Sequence, residues 1–325
     1  MIPPDLPAEL KAALDAKLEG VSRNEVAARA AAISRTYRDG GTSLAIRSAT
    51  DALAYALARM PATYAAVGAC LNALSEARPA FAPQTLLDVG AGPGTASWAA
   101  GAAFPSLTSF ALLDANAALR TLALELQRAS RRFGDVKYDA SEARSALNGA
   151  EAADLVVASY LVGELGDAER ESLADAMWAR TGDTLVVIEP GTPAGYARIV
   201  SLRGRLIAAG AHVAAPCPHD AACPLPSPDW CHFSRRLARS RAHKQAKGAD
   251  LPFEDERFSY VALTRAPITL RASRVLAQPL VGKAAVSAKL CTPAGLAVTK
   301  VPRRDRAAYA TARHWRWGDA VREKS

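Results

Sequence analysis

Four cysteines and one glycine-rich turn are the residues of this chain whose types and spacing can do chemistry. The segment APCPHDAACPLPSPDWCHFSRR places Cys217, Cys223 and Cys231 in a proline-rich loop with His219 and His232, and Cys291 follows in AKLCTPAGL. Five, seven and 59 residues separate them in turn. Structural zinc sites are usually closed by tighter C-x-x-C or C-x4-C chelates around one small tetrahedral ion. An iron–sulfur cluster is larger and accepts thiolates from a wide loop plus a distant strand. Pro216, Pro218 and Pro224 stiffen the loop beside its cysteines. Chemistry alone therefore ranks iron–sulfur ahead of zinc, with a metal-free loop third. The fifth cysteine, Cys70, lies among small residues of a helical stretch and reads as a buried core thiol.

The glycine turn lies in TLLDVGAGPGTASWAA, where Asp88 ends an apolar run and Gly90, Gly92 and Gly94 follow at alternate positions. Glycine suits a backbone that must take positive φ or approach a ligand closely. The G-x-G-x-x-G spacing that seats a pyrophosphate on a helix N-terminus is not met. The next apolar run, SFALLD, ends in Asp114, 20 residues beyond Gly94, where a carboxylate can accept hydrogen bonds from ribose hydroxyls.

Alternating strands and helices must position these groups. Thr85–Val89, Ser109–Leu113, Asp154–Ser159 and Thr184–Glu189 read as short buried strands with helical segments between them, the pattern of a parallel sheet with right-handed crossovers. RFSYVALTR, 257–265, alternates like a later strand, and a helix is expected over about 196–209. Before the sheet, residues 5–80 carry helical stripes (Leu6, Leu10, Leu14, Leu18, then Val26 and Ile33), broken at Gly40-Gly41 with Thr42 or Ser43 as the next cap. The basic run SRRLARSRAHKQAK is expected to be helical, and the tail after 265 to be β-rich. The expected fold class is α/β, with an N-terminal helical region over 1–80. A nucleotide-binding sheet domain over 81–265 follows, with a Cys-rich metal-binding insertion at about 210–256. A basic β-rich extension over 266–325 carries the fourth cysteine.

Charge is unevenly placed. Residues 1–230 hold 20 Lys+Arg against 25 Asp+Glu, whereas residues 231–325 hold 20 against 7. A basic final third points to a phosphate-rich partner, without sequence preference from charge alone. No apolar run approaches the roughly 20 residues of a membrane span. The N-terminal residues lack a signal core and transit-peptide character, so a cytoplasmic protein with no membrane partner is expected.

The turn, the downstream aspartate and the strand order resemble the first two motifs of class I methyltransferases over about 81–200. The resemblance implies S-adenosylmethionine as cofactor. It places Asp88, Gly90, Ala91, Gly92 and Gly94 around the methionine portion, Asp114 on the ribose and Asp139 by the adenine. Ser159 and Tyr160 would stand beside the methyl donor. Methyl transfer itself is not implied. The N/D-P-P-Y/F motif of amino-methylating relatives is replaced by Ala158-Ser159-Tyr160-Leu161. No cysteine nucleophile stands near the fourth or sixth strand ends, and no general base stands out apart from Glu164 and Glu189. The catalytic residues therefore stay unassigned.

The phrases YALARMPATYAA, EPGTPAGY, GAHVAAPCPHD, DWCHFSRR and LPFEDERFSYVALTR are similar to the small-ribosomal-subunit methyltransferase-like family of bacteria and mitochondria (the "Rsm twenty-two" type), over nearly the whole chain. That resemblance implies association with the small ribosomal subunit and its rRNA through the basic C-terminal third. It implies a 4Fe–4S cluster on Cys217, Cys223, Cys231 and Cys291, with zinc as the lesser occupant. It also implies a ribosome-associated location, cytoplasmic in bacteria and mitochondrial in eukaryotic relatives, and no DNA specificity. The competing expectation is a small-molecule methyltransferase whose cysteine loop is a zinc-stiffened lid, against which the basic tail argues.

Overall fold

The structure is a computed structural model that describes residues 1–269 and 271–322. Three helices precede the sheet: α1 (Ala8–Leu18), α2 (Arg23–Arg38) and α3 (Ala49–Ala77). Leu10, Leu14, Val26 and Ile33 are buried along the expected stripes. Ser48, rather than Thr42 or Ser43, caps the long helix α3: its side chain accepts from Asp51 N while Asp51 reaches back to Ser48 N. Thr42 caps only a short 3-10 turn, Ser43–Ala45. Both lie in the break after Gly41, but only Ser48 has a carboxylate three residues on to complete a capping box.

The alternating region runs β1 (Thr85–Val89), α4 (Thr95–Ala103), β2 (Ser109–Leu113), α5 (Ala117–Arg128), β3 (Asp135–Asp139), α6 (Ala143–Gly149), β4 (Ala153–Ser159), α7 (Asp167–Ala179), β5 (Thr181–Pro190) and α8 (Pro193–Ala208). Next come β6 (His212–Ala215), β7 (Phe233–Ala238), α9 (Arg241–Lys247) and β8 (Phe253–Thr264). The sheet order is β3-β2-β1-β4-β5-β8-β6, with β7 also paired to β8. The strands from β3 to β5 are parallel, and β8 is antiparallel to β5, β6 and β7. The central strands are largely apolar because both faces are covered. Leu86, Val157 and Val186 join the core with α1–α5, while Leu87, Val156 and Leu185 join the core with α6–α8. This is a class I Rossmann-like α/β fold, and its order reverses between β1 and β4.

The remainder is β9 (Ser273–Val275), β10 (Leu280–Val281), β11 (Ala285–Thr292), β12 (Gly295–Pro302), α10 (Arg306–Ala312) and β13 (Ala320–Val321). The strands form a separate antiparallel sheet with β11 at its centre. The basic run after Cys231 departs from the helix expected for it. Its first half is β7, where Phe233 and Leu237 are buried and every residue pairs with β8. Only the second half is helical, starting at the Ser240 cap. The i, i+4 spacing of Phe233 and Leu237 suits a helix as well as a strand; pairing with the open edge of β8 decided for the strand. β3, DVKYD, carries no apolar run and lies half exposed; its alternation covers only five residues, too few to announce a strand.

Candidate functional site

Open α/β sheets bind ligands beyond the carboxyl ends of their strands, where the order reverses. Here that point lies between β1 and β4, and a cavity of about 250 Å³ opens there. Its lining includes Gly90, Gly92, Asp114, Ser159 and Tyr160. The turn is tied to β2: Gly90 N and Ala91 N donate to the Leu113 carbonyl at 2.8 and 3.0 Å. Gly90 has φ +70°, and a Cβ there would come within 2.9 Å of the Leu161 side chain. Asp114 accepts from Gly92 N at 2.8 Å and from Asn116 N at 2.8 Å, and burial pushes its pKa up. Each carboxylate oxygen keeps a lone pair for a further donor.

Of the other residues expected around the cofactor, Asp88, Ala91, Gly94 and Asp139 are not on this lining. Asp88 is fully buried and accepts from Ser97 N at 3.0 Å and Ser97 Oγ at 2.7 Å. Its carboxylate therefore occupies the amino end of α4 that a phosphate would otherwise use. Burial raises its pKa to about 7. Ala91 and Gly94 do not line the cavity; Gly94 caps α4 with φ +79°. Asp139 is exposed, accepts from Ser141 Oγ at 2.6 Å, and also stays off the lining. Tyr160 is the one described non-glycine residue with positive φ, at 58°. Its hydroxyl donates to Glu256 Oε1 at 2.8 Å.

A larger cleft of about 650 Å³ adjoins this cavity, and the two share Tyr37, Tyr55, Tyr160 and Glu164. The helical region supplies one wall, including Arg35, Arg38 and Arg59. Glu189, fully buried on β5, accepts from Arg198 Nε at 2.6 Å, and burial raises its pKa against that pairing. Burial also raises Glu164, to about 7. The lining tyrosines and arginines of α2 and α3 escaped sequence reasoning, because nothing in a helical stripe marks which exposed residues face a cleft.

The cysteine loop connects β6 to β7, and Cys291 lies on β11. All four expected ligands, Cys217, Cys223, Cys231 and Cys291, line one small, mostly apolar cavity of about 30 Å³ together with Tyr196, Arg203, Tyr260 and Arg274. Tyr196 Oη donates to Cys223 Sγ at 3.1 Å, and His219 Nε2 lies 3.5 Å from Cys291 Sγ. Ser259 Oγ donates to the Cys231 carbonyl at 2.8 Å, fastening the loop to β8. Burial, then the neighbouring thiols, push Cys291 up to about 12. Among the described residues, no three His, Cys, Asp or Glu side chains are arranged to hold a single metal ion. The donor set, four thiols drawn from one loop and one distant strand, suits a thiolate-bound centre. Nearby, Trp230 stacks on His232 at 5.1 Å and Trp317 meets His232 edge-on at 4.7 Å, so Trp317 packs within the fold. No described helix is long and apolar enough to cross a membrane.

The family described as mitochondrial small ribosomal subunit Rsm22 matches residues 49–322. The human mitochondrial ribosome assembly protein METTL17 is 32% identical over 287 residues, which cover 83% of this chain and 62% of that protein. The Rsm22-cox11 tandem protein 2 of Schizosaccharomyces pombe is 27% identical over 212 residues, covering 59% of this chain and 28% of that protein. The chain thus spans 62% of one curated relative and 28% of the other. Among solved structures, magnesium protoporphyrin IX methyltransferase from Synechocystis is similar, with TM-score 0.42, 11% identity, and coverage of 63% of this chain and 84% of that one. The fold assignment rests on the strand order described above.

Proposed function

The chain belongs to the Rsm22 family, and from that premise we propose that it is an S-adenosylmethionine-binding, methyltransferase-like protein of the small ribosomal subunit. The observation that carries this reading is the cavity at the β1–β4 reversal, where Gly90, Gly92, Asp114, Ser159 and Tyr160 meet. In this reading Asp114 takes the ribose hydroxyls, and Ser159 and Tyr160 flank the methyl donor. The adjoining cleft would take the acceptor, with Arg35 and Arg38 at its wall suiting a phosphate-bearing chain. Asp88 and Gly94 would act from behind, by bracing the turn. Residues 81–265 would form the cofactor-binding domain, with 1–80 walling its cleft and 266–325 as the extension.

The ribosome is the proposed partner because the family description and the human relative's name both point there. The basic final third suits rRNA, whose A-form helices are read largely by shape and phosphate. The location would follow: cytoplasmic in a bacterium, mitochondrial in a eukaryote. We also assign Cys217, Cys223, Cys231 and Cys291 to a 4Fe–4S centre. Support comes from four thiols on one buried cavity, drawn from a loop and a distant strand. When bound, such a centre would cross-link that loop to the C-terminal sheet. Zinc remains the competing occupant.

The test is incubation of purified protein with labelled S-adenosylmethionine and small subunits from cells lacking the protein. Cofactor binding is expected, and Asp114→Ala should weaken it about tenfold, the loss of one or two good hydrogen bonds, while leaving the cysteine centre unchanged. Label entering rRNA would identify an enzyme; binding without transfer would identify an assembly factor. Absence of cofactor binding by the folded protein would overturn the reading.

A further inference from the structure

Two guanidinium groups lie buried against the cysteine cavity with no carboxylate among the described residues to match them. Arg203 on α8 and Arg274 on β9 are each 4% exposed, and both line the cavity. Arg203 donates through Nη2 to the carbonyls of His219 and Ala221 at 2.7 and 2.8 Å, and its Nε is buried without a hydrogen-bond partner. Arg274 donates through Nε to the Pro216 carbonyl at 3.2 Å and through Nη1 to the Gly318 carbonyl at 2.9 Å. In the ladder between β11 and β9 it sits directly opposite Cys291. Neither arginine makes an ion pair among the described residues; Asp220, in the same loop as Cys217, is held by Arg271 and His212 instead. Carbonyl groups solvate a guanidinium but do not neutralise it, and a buried cation without a counter-ion is strongly unfavourable.

We propose that Arg203 and Arg274 are the counter-charges of a tetrathiolate centre held by Cys217, Cys223, Cys231 and Cys291. Four thiolates around a 4Fe–4S core in its 2+ state carry a double negative charge, and so do four thiolates around zinc. Two fixed guanidinium groups neutralise either. The inference rests on the reading of these cysteines as ligands. Both arginines are positioning residues: they touch no reacting atom and act through the charge and retention of the centre. For an iron–sulfur occupant they have a second consequence. Reduction adds negative charge, which adjacent cations favour, so they hold the potential higher than it would otherwise be.

The test uses the full chain, purified and reconstituted without oxygen, as the parent, Arg203→Gln, Arg274→Gln and the double variant, with Arg203→Lys and Arg274→Lys as charge-retaining controls. Glutamine keeps an amide donor for the carbonyls and removes the unmatched buried charge, so the metal-free variants should melt at or above the parent. In the loaded proteins each Gln variant should release metal to a chelator about tenfold faster, and its cluster potential should fall. Lysine should restore both. Chelator release and potential unchanged in the double Gln variant would overturn the counter-charge role. So would equal losses of melting temperature with and without metal, which mark a merely structural contact. Recovery of zinc without iron or sulfide would refute the iron–sulfur assignment but leave the release comparison as the test of the arginines. A parent that takes up neither refutes both.

Discussion

Glu164 stands where the smaller cavity and the larger cleft meet, and its environment sets a measurable consequence. Its pKa in the fold is about 7, raised by burial from an ordinary 4.5. Between those values the folded chain holds a proton that the unfolded chain releases, so stability falls as pH rises through this window. Asp88, also near 7 through burial, contributes with the same sign. Glu164→Gln should therefore raise the melting temperature at pH 8 and change little at pH 5. The gain should be on the order of 2 kcal/mol after allowance for partial solvent access. Calorimetry of both proteins across pH 5–8 checks it, and parallel melting curves would refute it. Glu164 was visible in the sequence only as one of two candidate bases, with Glu189. Its proximity to Tyr37 and Tyr55 came from helices more than a hundred residues earlier.

At the scale of elements, α3 links the helical region to the sheet. It runs for 29 residues, and its start is fixed by the Ser48–Asp51 capping box. Asp51 also accepts from Arg29 Nη1 at 2.7 Å, tying α2 to the start of α3. Ser48→Ala should cost about 1 kcal/mol, seen as a lower urea midpoint with unchanged slope. Because α2 and α3 wall the cleft, the same change should loosen it. Elements with strong apolar periodicity, such as β1, β2, β4 and β5, could be read directly. β3 and β7 could not, since an edge strand or a strand rich in arginine is defined by its partner. The run Phe233–Ala238 has a helix-compatible composition and becomes a strand only because β8 is long enough to pair with it beyond β5.

Across the whole molecule, α8 joins the two sites. Its Arg198 holds Glu189 at the cleft, while its Tyr196 and Arg203 face the cysteines. β8 does likewise through Glu256, which accepts from Tyr160, and Ser259, which holds the loop at Cys231. Cys217→Ser is accordingly expected to lose the bound centre and to weaken association with small ribosomal subunits, measured by co-sedimentation beside the metal-loaded parent at equal protein concentration. Association of the parent should fall steeply with added salt, as phosphate contacts require. Undiminished co-sedimentation of an iron-free Cys217→Ser protein would separate the centre from ribosome binding.

The sequence by itself determined the α/β class, the glycine turn with its following aspartate, the four cysteines and the basic final third. Each is a local pattern of residue type and spacing, so it is complete before the chain folds. Tertiary structure alone decided that the four thiols, scattered over a loop and a strand from another sheet, would share one cavity. It also decided that Asp88 would turn inward to cap α4, and that a cleft would form between the helical region and the strand ends. The counter-charges belong to this second group as well. Arg203 and Arg274 are ordinary arginines in the sequence. They become significant only when folding buries them beside the cysteines without a carboxylate, and burial is a property of the assembled fold.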